Sequence, residues 1–108
     1  MAVDGTWVAV GVAGTIIVST DNGNTWIKKN RGTDKFMNSI ACNNNGTWVA
    51  VGVAGTIIVS SDNGNTWIKK NSGTDKQLNS IAYNNGTWIA IGENGTILRS
   101  TDTAVWEP

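Results

Sequence analysis

The sequence predicts an all-β fold of four-stranded antiparallel sheets, about three to the chain, and three observations predict it. A unit of roughly forty residues recurs. Each copy is rich in Val, Ile, Thr and Trp, with Asn, Gly and Asp clusters as punctuation. No window carries an apolar period long enough for a helix.

The repeat fixes the organisation. Gly5-Thr6-Trp7 returns as Gly46-Thr47-Trp48 and as Gly86-Thr87-Trp88, while Gly14-Thr15-Ile16 returns as Gly55-Thr56-Ile57 and Gly95-Thr96-Ile97. Between Gly5–Asn30 and Gly46–Asn71 only Thr20 and Ser61 differ, whereas the third copy carries Glu93, Asn94, Leu98 and Arg99 in place of smaller or more apolar residues. The units fall at residues 1–30, its first strand truncated, 36–71 and 77–108, within one domain of residues 1–108. Natural repeats drift apart, so near-identity implies a unit amplified recently or one built by design; the second is the reading preferred.

In the middle unit the strands are expected at Met37–Cys42, Thr47–Val51, Thr56–Ser60 and Thr66–Lys70, with four more in the third unit. The first unit should hold three, plus a stub at Met1–Asp4. Trp48-Val49-Ala50-Val51-Gly52-Val53 is apolar on both faces, as in a strand covered from both sides. Trp67-Ile68-Lys69-Lys70 puts lysine on both faces of its outer half and belongs at a wet rim. Sheets with buried inner strands and a solvated edge, stacked face to face, are the blades of a β-propeller. The small residues Ala9, Gly11, Ala50, Gly52, Ala90 and Gly92 are read as room left where blades converge.

Composition narrows the function. Eight basic and eight acidic residues give a net charge of zero, without the basic stripe that nucleic acid requires or the polybasic cluster that anionic membranes attract. No apolar run reaches the roughly 20 residues that span a bilayer, and Met1-Ala2-Val3-Asp4 does not open a signal peptide. A cytoplasmic setting is therefore the default expectation. The single cysteine, Cys42, has Tyr83 as its counterpart and reads as a small half-buried hydrophobe. Asn45-Gly46-Thr47, Asn85-Gly86-Thr87 and Asn94-Gly95-Thr96 fit the glycosylation pattern but are read as turns.

Ser19-Thr20-Asp21-Asn22-Gly23-Asn24-Thr25-Trp26 and Ser60-Ser61-Asp62-Asn63-Gly64-Asn65-Thr66-Trp67 share the pattern S-x-D-x-G-x-T-W. A third run, Ser100-Thr101-Asp102-Thr103-Ala104-Val105-Trp106, keeps Ser, Asp and Trp, with Ala104 read at the glycine's place. The chain thereby resembles the Asp-box, or bacterial neuraminidase repeat, propellers over its whole length, and is similar to the blades of photosystem II assembly-factor-like propellers. The physics of the motif is local. The carboxylate of Asp21, Asp62 or Asp102 can accept N–H groups of the turn that follows. Gly23 and Gly64 can take positive φ, and Thr25, Thr66 and the tryptophans Trp26, Trp67 and Trp106 lead into the last strand, the indoles filling the space between blades. Asp-Asn-Gly-Asn lacks the ligand series of an EF-hand loop, so neither a metal nor any cofactor is expected.

Three classes of function follow. The resemblance implies sialidase chemistry, with an arginine triad, a tyrosine nucleophile and paired acids. The chain has only Arg31, Arg99, Tyr83, Glu93 and Glu107 for these parts and no histidine, so no catalytic residue is assigned. A lectin-like module would place glycans between blades on Trp7, Trp48 and Trp88 with Asn43, Asn44, Asn84 and Asn85. The reading preferred is a non-enzymatic structural repeat protein. About three blades leave a bare apolar face at each end, and head-to-tail contact between copies would close a ring, six-bladed as a homodimer.

Overall fold

The computed structural model describes residues 4–29 and 33–108. The stub expected at Met1–Asp4 lies outside the described residues but for Asp4, and Arg31 lies outside them altogether. Among the described residues ten strands form three antiparallel sheets in chain order. The first sheet contains β1 (Trp7–Val10), β2 (Ile16–Ser19) and β3 (Ile27–Lys28). The second is four-stranded, in the order β4 (Met37–Cys42), β5 (Trp48–Gly52), β6 (Ile57–Ser60) and β7 (Ile68–Lys70). The third contains β8 (Leu78–Asn84), β9 (Thr87–Gly92) and β10 (Ile97–Ser100).

The sheets stack face to face through two apolar layers. One joins Val8, Ile16 and Val18 of the first sheet to Met37, Trp48, Ala50, Ile58 and Trp67 of the second. The other joins Val49, Val51, Ile57 and Val59 of the second sheet to Leu78, Ile81, Trp88, Leu98 and Trp106 of the third. Strand alternation explains the split: along β5, Trp48 and Ala50 face backwards while Val49 and Val51 face forwards. Every residue of β5 is buried, as a doubly covered strand requires. β7, with its two lysines, is an edge strand with Ile68 and Lys69 exposed.

The structure corrects three expectations. Among the described residues the third sheet has no fourth strand, only a bridge from Arg99 to Glu107. Aligned on the tryptophans, Pro108 stands where Lys69 pairs with Ile58, and proline has no N–H to continue a ladder. The last strand of the second sheet also starts at Ile68, one residue past Trp67. Finally, Gly52 and Gly92 are kept small by the chain entering their own sheets rather than by converging blades. A Cβ on Gly52 would lie 2.0 Å from the carbonyl oxygen of Phe36, and one on Gly92 2.0 Å from that of Gln77. The chain entering the second and third sheets crosses over that glycine, and Val53 and Glu93 donate their N–H groups to the same two oxygens at 3.0 and 2.9 Å.

Candidate functional site

The S-x-D-x-G-x-T-W loops are built from hydroxyls as much as from backbone. In the second copy Ser60 Oγ donates to Asp62 Oδ1 at 2.8 Å and accepts the Gly64 N–H at 2.8 Å. Asp62 also accepts the N–H and the hydroxyl of Thr66, at 2.8 and 2.6 Å. The first copy repeats this with Ser19, Asp21, Gly23 and Thr25. The carboxylate thus takes one N–H of the following turn firmly, and two side-chain hydroxyls supply the rest. Gly23 and Gly64 have φ of 92° and 90°, where an L side chain would be strained. Each tryptophan closes the loop, its indole N–H donating to the glycine carbonyl: Trp26 to Gly23 at 3.0 Å, and Trp67 to Gly64 at 2.9 Å.

These bonds hold the Asp21 and Asp62 carboxyls down to about 2, the Thr25 and Thr66 hydroxyls being the first cause in each case. A depressed pKa contributes stability above the unfolded value, near 3.8, that is lost as pH falls towards the folded one. Acid unfolding followed by circular dichroism is therefore expected to begin below about pH 4, and the Asp62→Asn variant should lose part of that slope while being less stable at neutral pH.

The third loop departs from the expected alignment. Ser100 Oγ accepts the N–H of Thr103, and the Trp106 indole donates to the Thr103 carbonyl, so Thr103, not Ala104, fills the glycine's place. Its φ of 61° is one that a β-branched residue rarely adopts. Asp102 accepts the N–H groups of Ala104 and Val105, and these two bonds are the leading causes of its lowered pKa. The loop is one residue shorter than its counterparts, and the missing position is that of Asn22 and Asn63.

That asparagine is the residue that sequence reasoning missed. Asn63 donates its backbone N–H to the Gly46 carbonyl at 2.9 Å and accepts the Trp48 indole N–H on Oδ1 at 3.1 Å. Its Nδ2 donates across to the first sheet, to Asp4 Oδ2 and Thr6 Oγ1, both at 2.9 Å. Asn22 makes the matching bonds to Gly5 and Trp7 at the open end of the chain. The signal was available: Trp106 follows Asp102 by one residue fewer than Trp67 follows Asp62, and the hairpin Asn84-Asn85-Gly86 is one residue shorter than Asn43-Asn44-Asn45-Gly46. Both deletions fall on loops that touch in the second copy.

The candidate sugar-binding residues are divided by the fold. Trp48 and Trp88 are 3% exposed and locked between sheets, so they offer no platform; Trp7, at the open end, is 39% exposed. Asn43 Oδ1 accepts the N–H groups of Asn45 and Thr47, a turn role. Asn44 and Asn85 hold positive φ, and Asn84 pairs with Thr87 at the end of its hairpin. Two of the residues weighed for sialidase chemistry have structural partners: Tyr83 packs on Trp88 at 4.6 Å and its hydroxyl accepts the Gly86 N–H, while Glu93 accepts the N–H of Gln77. Among the described residues, no group of three or more His, Cys, Asp or Glu is placed to hold a metal ion. No helix among them is long and apolar enough to cross a membrane.

What the chain does expose is its two ends. Residues buried at the internal junctions have sequence counterparts in the open at the termini: Trp67 is 8% exposed and Trp26 42%, while Ile57 is fully buried and Ile97 57% exposed. A cleft of about 480 Å³ beside Gly95 is lined in part by Thr74, Ile97, Trp106 and Pro108. No protein-family model and no curated protein matches the chain. Among solved structures it is similar to YCF48 bound to D1 peptide, with a TM-score of 0.77 and 25% identity over 93% of this chain. The chain spans 34% of that protein's length, and the likeness supports a propeller-blade fold.

Proposed function

We propose that the chain is a non-enzymatic structural repeat protein that associates head to tail with copies of itself to complete a propeller ring. One observation carries the reading: surfaces buried between neighbouring sheets recur, in nearly the same sequence, uncovered at the two ends. The back of the first sheet offers Trp7 and Trp26, the counterparts of Trp48 and Trp67. The front of the third sheet offers Ile91 and Ile97, the counterparts of Val51 and Ile57. Each end copies one half of an interface that already exists inside the chain. Such heterologous contact closes when the rotation permits, and two three-blade arcs supply about six blades, within the usual range for propellers.

The S-x-D-x-G-x-T-W loops are, on this reading, Asp boxes in a purely structural role. Their carboxylates are engaged by Ser and Thr hydroxyls and turn amides. Light scattering coupled to size exclusion is expected to give twice the 11.4 kDa chain mass. A monodisperse species of one chain at micromolar concentration would refute the reading. A carbohydrate-binding reading retains Trp7 alone among its three tryptophans.

A further inference from the structure

Along β1 the first sheet leaves open the edge that each other sheet covers with a strand. In the second sheet β4 lies against β5, and in the third β8 lies against β9. β1 matches β5 residue for residue from Trp7 to Val10, yet among the described residues it pairs with β2 alone. Gly11 reports the same difference independently. Among the described residues a Cβ there would meet nothing within 4 Å, where at Gly52 and Gly92 it would strike the carbonyl of the arriving strand.

The phase of the edge follows from the second sheet. Asn43 donates its N–H to the Thr47 carbonyl at 3.1 Å. Alternate residues of an antiparallel strand turn their backbone groups towards the same partner, so Val49 and Val51 address β4. Val8 and Val10 therefore present N–H and C=O groups at the free edge of β1. Two occupants of such an edge are visible in the molecule, and they share a pattern: Met37-Asn38-Ser39-Ile40-Ala41 and Leu78-Asn79-Ser80-Ile81-Ala82. Each begins with a buried aliphatic residue, carries Ile three places on, has no charge, and shifts register between its first and third residues.

We propose that the free edge of β1 is an acceptor site for an extended, uncharged segment of another polypeptide. That segment would run antiparallel to β1, with a large aliphatic side chain at its first position and Ile at its fourth, and would be held by main-chain hydrogen bonds to Val8 and Val10. The site exists in the single chain and does not rest on ring formation.

The test is titration of the folded chain with a capped synthetic peptide of residues 77–84, Gln-Leu-Asn-Ser-Ile-Ala-Tyr-Asn, read by tryptophan fluorescence and amide exchange. Saturable binding is expected, with exchange at Val8 and Val10 slowed by at least ~10-fold. The Gly11→Ala variant meets no atom of the described residues but would obstruct the peptide's glutamine carbonyl, and should weaken binding by ~10-fold or more. A peptide starting at the leucine with a free amino group, which has no carbonyl at that point, should bind both forms equally. Absence of saturation with the chain folded, indifference of the full peptide to Gly11→Ala, or protection confined to other strands would each overturn the site. Peptide binding by a chain whose measured mass is that of a monomer would leave the site standing while removing the ring.

Discussion

Replacing Gly52 by alanine is expected to destabilise the chain by about 3 kcal/mol or more, while the same change at Gly11 costs less than about 0.5 kcal/mol. The two glycines occupy equivalent positions in nearly identical repeats, and both have extended backbone, with φ of −163° and −170°, so conformational freedom does not separate them. Space does. The new methyl at position 52 would stand 2.0 Å from the Phe36 carbonyl oxygen and 2.9 Å from the Met37 Cα. Both are backbone atoms that no rotamer change can move. Relief requires β4 to shift at the point where Val53 donates to that same oxygen, so a hydrogen bond is lost with the packing. Urea unfolding of the two variants beside the parent checks the contrast. Equal midpoints for Gly52→Ala and Gly11→Ala would show that the strand entering each sheet does not cross its glycine as described.

The same pair of residues shows how much of the fold was legible in the sequence. The repeat, the strand-and-turn punctuation and the doubly apolar run from Trp48 to Val53 were sufficient to place three sheets stacked through two apolar layers. That Ala50 and Gly52 must be small was equally readable. The reason was not, because a carbonyl arriving from Phe36 leaves no trace in the composition of β5. The aspartate loops were readable as turns with glycine at positive φ, but the share carried by the Ser and Thr hydroxyls was underestimated. In the third copy, alignment by residue type puts Ala104 where hydrogen-bond geometry puts Thr103, since counting forward from Asp102 passes over the residue missing before Trp106. Asn63 was missed for a related reason. It occupies a variable position of the motif, and its value lies in four bonds to residues distant in the chain. Of the tryptophans proposed as a ligand platform, Trp7 alone is open, because a residue pattern that serves a binding surface serves an inter-sheet core equally well.

Trp67→Ala and Trp26→Ala, the same substitution in two copies of one loop, are expected to fail in different ways. Trp67 is buried against the first sheet, in the layer that holds Val8, Ile16 and Val18, and its removal should cost about 3–5 kcal/mol of folding stability. Gly64 beside it fits closely, its Cβ position lying 3.1 Å from Val8 Cγ2 and 3.3 Å from Val18 Cγ2, so the neighbours cannot relax far into the space left. Trp26 makes the same indole bond to its own loop but, among the described residues, has no sheet behind it. The folding cost for Trp26→Ala should therefore stay near that of a surface change, about 0.5 kcal/mol. Its effect should fall on association. If the front of the third sheet of another copy covers Trp26 as the first sheet covers Trp67, truncation removes a central aromatic anchor worth about 2 kcal/mol, a loss of roughly 30-fold in affinity. Arg99 stands at the position of Val59 on that covering face, so a guanidinium would meet the indole where the internal junctions have valine, a stacking that favours contact between copies. Thermal unfolding separates the two variants on the first count, and sedimentation over a concentration series on the second. Unchanged association for Trp26→Ala would remove the first sheet's open face from any ring.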